Sequence, residues 1–332
     1  MTHGSNQVSR RGVLKASGAA GLFGLAGCID SGSSSGTTVV HGTTQGGTTG
    51  VITSVVENQG FDADHGIDLD LKQFTDPPQV QNQLALSDDV PTGYMGSIIA
   101  TRMHAENNPM KLVGPYMYYH AYVLARSDSD IDGPSDLAGK RISYGNEAAD
   151  AWLKFAVLLA ETHGITPDQY EFVQSAPPAA LPLLDRGEVD AILSFEPILT
   201  KGLTQYDFDV VFSPRDAWRE TEDLPLTTVD LAVTQSWYEN NADTTSDLAA
   251  TLLDAQRHLS ENIDSVIENN PSTFGFESDA AINLGKERMD QIYPTEWNED
   301  SFVESELRMV EKANELGMID AAPTEDIFEW VM

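Results

Sequence analysis

Lys140-Arg141-Ile142-Ser143-Tyr144-Gly145-Asn146-Glu147, followed by the run 150–163, is a strand, a glycine turn and an amphipathic helix in direct succession. The helix sets Trp152, Phe155, Ala156 and Leu159 on one face, the spacing of a stripe that packs on a sheet. The unit recurs on both sides. Upstream, the β-prone residues 37–40 lead into a Gly/Thr-rich turn at 41–50 and a helix from Val51. Residues 67–71 alternate apolar and acidic side chains as a half-exposed strand does, a helix crosses 79–86, and 92–97 repeats strand, glycine turn and helix start with Ser97 at the N-cap. Downstream come a strand near 170–173, a helix near 179–185, and a strand at 189–193 that ends in Ser194-Phe195-Glu196-Pro197. Such alternation predicts an α/β fold of parallel sheets with helices on both faces, which bind ligands beyond the carboxyl ends of their strands. The 41–50 turn, the Gly93 turn, the Gly145 turn and 194–197 all fall at such ends.

After Ser246 the pattern is helical. Leu248, Leu252, Ala255, Leu259, Ile263 and Ile267 form one stripe, and Val303, Leu307 and Val310 another. With no strands left to cover, these helices must pack on the earlier units. No internal repeat is visible in the sequence.

The first residues carry an address. Ser9-Arg10-Arg11-Gly12-Val13-Leu14-Lys15 is a twin-arginine signature, 16–27 is a short apolar run, and Leu25-Ala26-Gly27-Cys28 is a lipobox. The apolar run is shorter than the roughly 20 residues needed to span a bilayer. Residues 1–27 therefore read as a cleaved twin-arginine lipoprotein signal peptide, and 28–36 as a lipid-anchor leash rich in Ser and Gly. Cys28 is the only cysteine, so no disulfide forms within the chain, and lipidation after cleavage gives the lone thiol a purpose.

Composition narrows the partners. Residues 1–27 hold three basic and no acidic residues, so the mature chain has 16 Lys and Arg against 52 Asp and Glu, a net charge of −36. That imbalance excludes nucleic acid as a partner. With 41% hydrophobic residues the chain is nonetheless a folding one, and its acid coats a folded surface. Few lysines, many carboxylates and the twin-arginine signature together point to a haloarchaeal or other extreme halophile, in which molar salt shortens the Debye length to about 3 Å. About 300 mature residues exceed one core's usual limit and imply two lobes.

Enzyme signatures are missing. None of the seven histidines is spaced with another histidine or a cysteine as a metal pair, and no Walker A loop, G-x-G-x-x-G or G-x-S-x-G elbow occurs. Glu147 and Asp150 could do acid–base work as a pair, but among 52 acids such a pair arises far more readily by chance. The sequence calls for no metal, no cofactor and no catalytic residue.

The combination of Asp136-Leu137-Ala138-Gly139-Lys140-Arg141-Ile142, Gly164-Ile165-Thr166-Pro167-Asp168 and the segment from Leu181 through Gly187-Glu188-Val189-Asp190-Ala191 to Glu196-Pro197 resembles the nitrate, sulfonate and taurine branch of ABC-transporter substrate-binding proteins. That family also includes binders of thiamine-pyrimidine precursors, and the resemblance spans roughly 38–237. It implies the two-lobed periplasmic-binding-protein type 2 fold, with crossover strands here at 119–125 and 228–233 and C-terminal helices. Lobe one is then 37–117 plus 231–332, and lobe two is 118–230. The implied function is capture of a small polar solute in the cleft between lobes that close by a hinge motion. A monomer held to the membrane by its lipid would deliver the solute to a permease, with the transport ATPase on another chain. An exported enzyme on the same fold is the rival reading.

Carried over by position, the resemblance implies ligand contacts from Thr43, Thr44, Gln45, Met95, Gly96 and Ser97 in lobe one, and from Asn146, Glu147 and Glu196 in lobe two. The Gly/Thr turn either cradles a ligand or merely caps its helix. Tyr94, Tyr119, Trp152 and Phe195 either wall the site or fill the core. Glu196 either faces ligand, pairs with a cation or caps the following helix. Helix N-termini and Thr hydroxyls suit a sulfonate, taurine or nitrate, whereas Glu147, Glu196 and the absence of arginine from the four loops suit a thiamine-type pyrimidine.

Overall fold

The computed structural model describes residues 36–332; the signal sequence, Cys28 and all of the leash except Gly36 lie outside the described residues. The described chain opens with β1 (Thr37–Thr44), α1 (Gly47–Gln59), α2 (Phe61–Asp64), β2 (Ile67–Phe74), α3 (Pro77–Leu86), β3 (Thr92–Met95), α4 (Ser97–Ala105) and β4 (Met110–Tyr118). It continues through β5 (Ala121–Arg126), β6 (Arg141–Tyr144), α5 (Asp150–His163), β7 (Glu171–Gln174), α6 (Pro177–Asp185), β8 (Ala191–Phe195), α7 (Ile198–Gln205), β9 (Phe208–Phe212) and α8 (Pro214–Glu222). Then follow β10 (Thr227–Thr234), α9 (Gln235–Tyr238), α10 (Ala242–Asn269), α11 (Pro271–Phe274), α12 (Asp279–Met289) and α13 (Glu299–Glu315).

Two five-stranded sheets result, ordered β2-β1-β3-β10-β4 and β7-β6-β8-β5-β9. Both follow one plan: a parallel set in which the fourth strand alone runs backwards. β10 is antiparallel to β3 and β4, and β5 is antiparallel to β8 and β9. The sheets are parallel as expected apart from this one strand in each, which is the strand that enters from the other sheet. The chain passes from the first sheet to the second at Tyr119 and His120 and returns between Asp223 and Leu226, where Tyr119 N–H donates to the Leu226 carbonyl at 2.8 Å.

Two stretches expected to be glycine turns are strand. β1 runs on to Thr44, paired residue by residue with β2 as far as Phe74, and Gly93 lies inside β3. Their glycines serve packing instead. A Cβ on Gly42 would sit 3.1 Å from Val80 and Val90 side chains, and one on Gly93 would sit 3.2 Å from Val80, so α3 lies close on these two strands.

The stripe along α10 is buried against the first sheet, and Gln256 within it donates to the Tyr116 carbonyl at 2.8 Å. The second sheet carries two smaller cores, one around Phe155, Leu159 and Trp218 and one around Leu124, Leu184 and Ile192. α13 reaches beyond the first sheet, placing Met309, Val310 and Ala313 in the core around Phe155.

α1 abuts the end of β1. A Cβ on Gly50 would lie 2.5 Å from the Thr44 carbonyl oxygen, so glycine sets how closely this helix approaches its strand. On an exposed helix Gly→Ala gains about 1 kcal/mol; here Gly50→Ala is expected to cost about 1–3 kcal/mol through overpacking. A lowered urea midpoint with an unchanged slope is the expected reading.

Candidate functional site

β1 delivers Thr43 and Thr44, both buried, to the carboxyl end of the first sheet. Thr43 Oγ1 lies 3.1 Å from Thr53 Oγ1, while Thr44 donates to the Gly46 carbonyl at 2.8 Å and lies 2.6 Å from Thr49 Oγ1. These hydroxyls shape the turn. α1 then begins after its N-cap Gly46 with no side-chain cap and no acidic residue in its first turn. First-turn amides have no partner within a helix, and the end they form carries partial positive charge.

Most of the other helices that start at sheet ends meet a carboxylate of the chain, as α3 does at Asp76; α6 meets none, but it opens on Pro177 and Pro178, which have no amide proton to offer. α4 and α5 meet nearly head to head, and Asp150 of α5 accepts the Ile99 N–H of α4 at 3.0 Å. A Cβ on Gly96 would fall 2.0 Å from Asp150 Oδ2, so glycine is what allows that meeting. At α7, Glu196 accepts the Thr200 N–H at 3.2 Å and the Arg288 guanidinium at 2.7 Å. Among the starts of α1, α4, α5 and α7, that of α1 is the one without a carboxylate.

Behind the α4–α5 junction is a buried charge cluster. Lys154 Nζ is 2.8 Å from Glu306 Oε2, 3.3 Å from Asp150 Oδ2 and 3.0 Å from the Thr227 carbonyl, and all three charged side chains are sealed from solvent. Ser97 donates its hydroxyl to Glu306, and Thr227 does so at 2.9 Å. Burial opposes the Lys154 charge, yet Glu306, Asp150 and Asp230 together hold its amine above the usual range. Burial pushes the Asp150 carboxyl up, and pushes Asp230 well up with repulsion from Glu306 adding to it. Neither Asp230 oxygen has a hydrogen-bond partner.

Between the sheets lies His120. Its Nδ1 is 3.0 Å from the Tyr118 carbonyl and 3.2 Å from Thr228 Oγ1, and its Nε2 is 3.5 Å from Thr48 Oγ1 on the first turn of α1. Phe195 meets the imidazole edge-on at 6.2 Å, Tyr144 stands 6.4 Å from Phe195, and the Arg215 guanidinium lies 5.0 Å over the Tyr118 ring. On the far side Arg288 stacks 4.5 Å over Tyr122 while it holds Glu196. Burial, opposed by the Tyr118 carbonyl and aided by Arg215, brings His120 down to about 4.

The expected site residues are therefore spread over different roles. Phe195 stands beside His120, and Gln45 is exposed at the turn before α1. Tyr94 is buried with its hydroxyl 3.5 Å from Thr49, and Met95 is buried beside it. Gly96 and Ser97 are enclosed by the charge cluster. Tyr119 is buried and donates to the Ala151 carbonyl at 2.7 Å; Trp152 is buried among Phe155, Tyr170 and Phe172, stacked on Tyr144. Asn146 and Glu147 are exposed, and Asn146 spends its side-chain oxygen on the Ala148 N–H. Glu147 and Trp152 line an outer depression shared with 166–168 and 316–318. Sequence reading passed over Thr48, Tyr118, His120, Tyr144, Arg215 and Arg288. Thr48 lay in the quoted turn, but the two arginines come from helices far along the chain and carried no local signal. Among the described residues no group of three His, Cys, Asp or Glu is placed to hold a metal ion, and no helix is long and apolar enough to cross a membrane.

A family model described as NMT1/THI5 like matches residues 49–258. No curated protein matches the chain significantly. Its fold is similar to that of the periplasmic aliphatic sulphonate binding protein SsuA from Escherichia coli, at 16% identity over 88% of this chain and 91% of that one, with TM-score 0.68. The alkanesulfonate-binding protein SsuA from Xanthomonas axonopodis pv. citri, bound to MOPS, is similar at 14% identity over 89% and 99%, with TM-score 0.70. The desulfurization enzyme DszB also shares the fold, at 17% identity over 87% and 95%, with TM-score 0.54.

Removing the one cation from the buried cluster in Lys154→Met is expected to cost about 3–5 kcal/mol in urea unfolding. The pH dependence has a definite sign. Asp230 is raised in the folded state, so its contribution is whole below the unfolded carboxyl value and is lost as pH rises through the folded one. The urea midpoint of the parent chain is accordingly expected to fall as pH rises, and Asp230→Asn to flatten that fall.

Proposed function

The chain belongs to the NMT1/THI5-like family, and from that premise we propose that it is the extracytoplasmic solute-binding lipoprotein of an ABC importer, which captures a small sulfonate-like anion. The carrying observation is that α4, α5 and α7 start against carboxylates of the chain itself while α1 starts against none. An anion at 46–49 would receive the first-turn amides and the Thr48 hydroxyl. His120, Tyr118, Phe195 and Tyr144 would form the opposite wall, with Arg215 contributing positive potential.

Proteins of similar fold that are described as sulfonate-binding support this ligand class. The rings around His120 support a second reading, a thiamine-type pyrimidine stacked in the same place. Glu196, which the sequence offered to such a heterocycle, is engaged by Arg288 and weighs less than expected. The binding role needs no bond making, and an enzyme on this fold is the competing reading that DszB keeps in view.

We assign lobe one to 37–117 plus 231–332 and lobe two to 118–230, with the ligand between them. Twin-arginine export, cleavage before Cys28 and lipidation there would hold a monomer at the outer membrane face. Delivery to a permease served by a separate ATPase completes the proposal, with no nucleic acid involved. The acidic surface suits a haloarchaeal setting.

The test is to give α1 the carboxylate it lacks. Gly46 is extended, and a Cβ there would meet nothing nearer than the Thr273 carbonyl at 4.0 Å, so Gly46→Asp fits. The new side chain is expected to stabilise the helix by a few tenths of a kcal/mol while weakening ethanesulfonate binding at least tenfold by calorimetry. Undiminished binding by a folded G46D chain would move the anion away from α1.

A further inference from the structure

His120 is held in one tautomer. The Tyr118 carbonyl, 3.0 Å from Nδ1, can only accept a hydrogen bond, so Nδ1 carries the proton. Thr228 fits the same assignment: its hydroxyl donates to that carbonyl at 3.1 Å, which leaves its oxygen to accept from Nδ1 at 3.2 Å. Nε2 is then a lone pair facing the first turn of α1, and its only partner among the described residues is the Thr48 hydroxyl at 3.5 Å. A second proton on the ring is opposed by its burial and by the nearby positive charge of Arg215, the cation of α8 that stacks on Tyr118.

An acceptor beside an anion-favouring helix end sets a condition on the ligand. A bare sulfonate oxygen brought against Thr48 would also approach the Nε2 lone pair, two acceptors with no proton between them. A ligand that carries its own donor satisfies both. We propose, resting on the anion reading above, that His120 selects anions bearing an uncharged O–H or N–H donor close to the anionic group. The donor must be uncharged because the Arg215 guanidinium disfavours an ammonium in the same space.

Calorimetric titration of the whole chain in high salt with ethanesulfonate, 2-hydroxyethanesulfonate and taurine tests this. The hydroxylated probe is expected to bind at least tenfold more tightly than ethanesulfonate, taurine no more tightly than ethanesulfonate, and the first ratio to collapse towards one in His120→Phe. Ethanesulfonate affinity is expected to stay level between pH 5.5 and 8. If His120→Phe does not fold, the parent chain's ratio and pH profile still decide. Equal binding of the first two probes, or tightest binding of taurine, would overturn the donor requirement while leaving the anion reading intact. Ethanesulfonate affinity rising tenfold towards pH 5.5 would overturn it as well, by showing that the ring takes up a proton. Binding of none of the three removes the anion reading and this inference with it.

Discussion

The ammonium of Lys154 is the point on which the arrangement depends. It comes from α5 of the second sheet's layer, yet its partners are Glu306 of α13 and Thr227 of β10, and Asp150 beside it caps α4 of the first. A buried ion pair is weak evidence for net stability, because desolvating its charges costs several kcal/mol. What the cluster does supply is position. It fixes α4 and α5 end to end and commits two helix dipoles to one carboxylate.

That division of labour explains the electrostatics of a chain with 52 acidic residues. Carboxylates near the proposed anion site would ordinarily argue against it. Here most of the buried ones are spent, Asp150 and Glu306 on Lys154, and Glu196 on Arg288 and the start of α7, while Asp230, which has no hydrogen-bond partner among the described residues, is pushed by burial towards its neutral form. Glu147 points to solvent, where salt screens it. The sign of the proposed site would be set by which carboxylates stay charged without a partner, and the acid count of the whole chain says little about it.

The sequence showed the architecture better than the site. The helix at 150–163 and the strand ahead of it stand where apolar spacing puts them, since burial of one face imposes a period that can be read directly. Gly42 and Gly93 misled, because close packing of α3 and a turn both call for glycine and only packing distinguishes them. The shared plan of the two sheets left no repeat in the sequence, as topology constrains burial and not residue identity. Arg288 and Glu196 are 92 positions apart and Lys154 and Glu306 are 152 apart, so no local pattern joins them. Lys154 did leave one trace, a lysine set inside the apolar run of Ala151 to Ala160, where a cation needs a reason.

The reversed fourth strand has a consequence for how the protein is made. β3 and β4 emerge early in synthesis, but the strand that lies between them, β10, is complete only at Thr234. At about 5–20 residues per second, the stretch from Tyr118 to Thr234 takes roughly 6–23 seconds. For that interval the first sheet has a gap bordered by unpaired peptide groups, the kind of edge that recruits other chains. The nascent chain therefore cannot finish its first half before starting its second, and the two halves must mature as one cooperative unit.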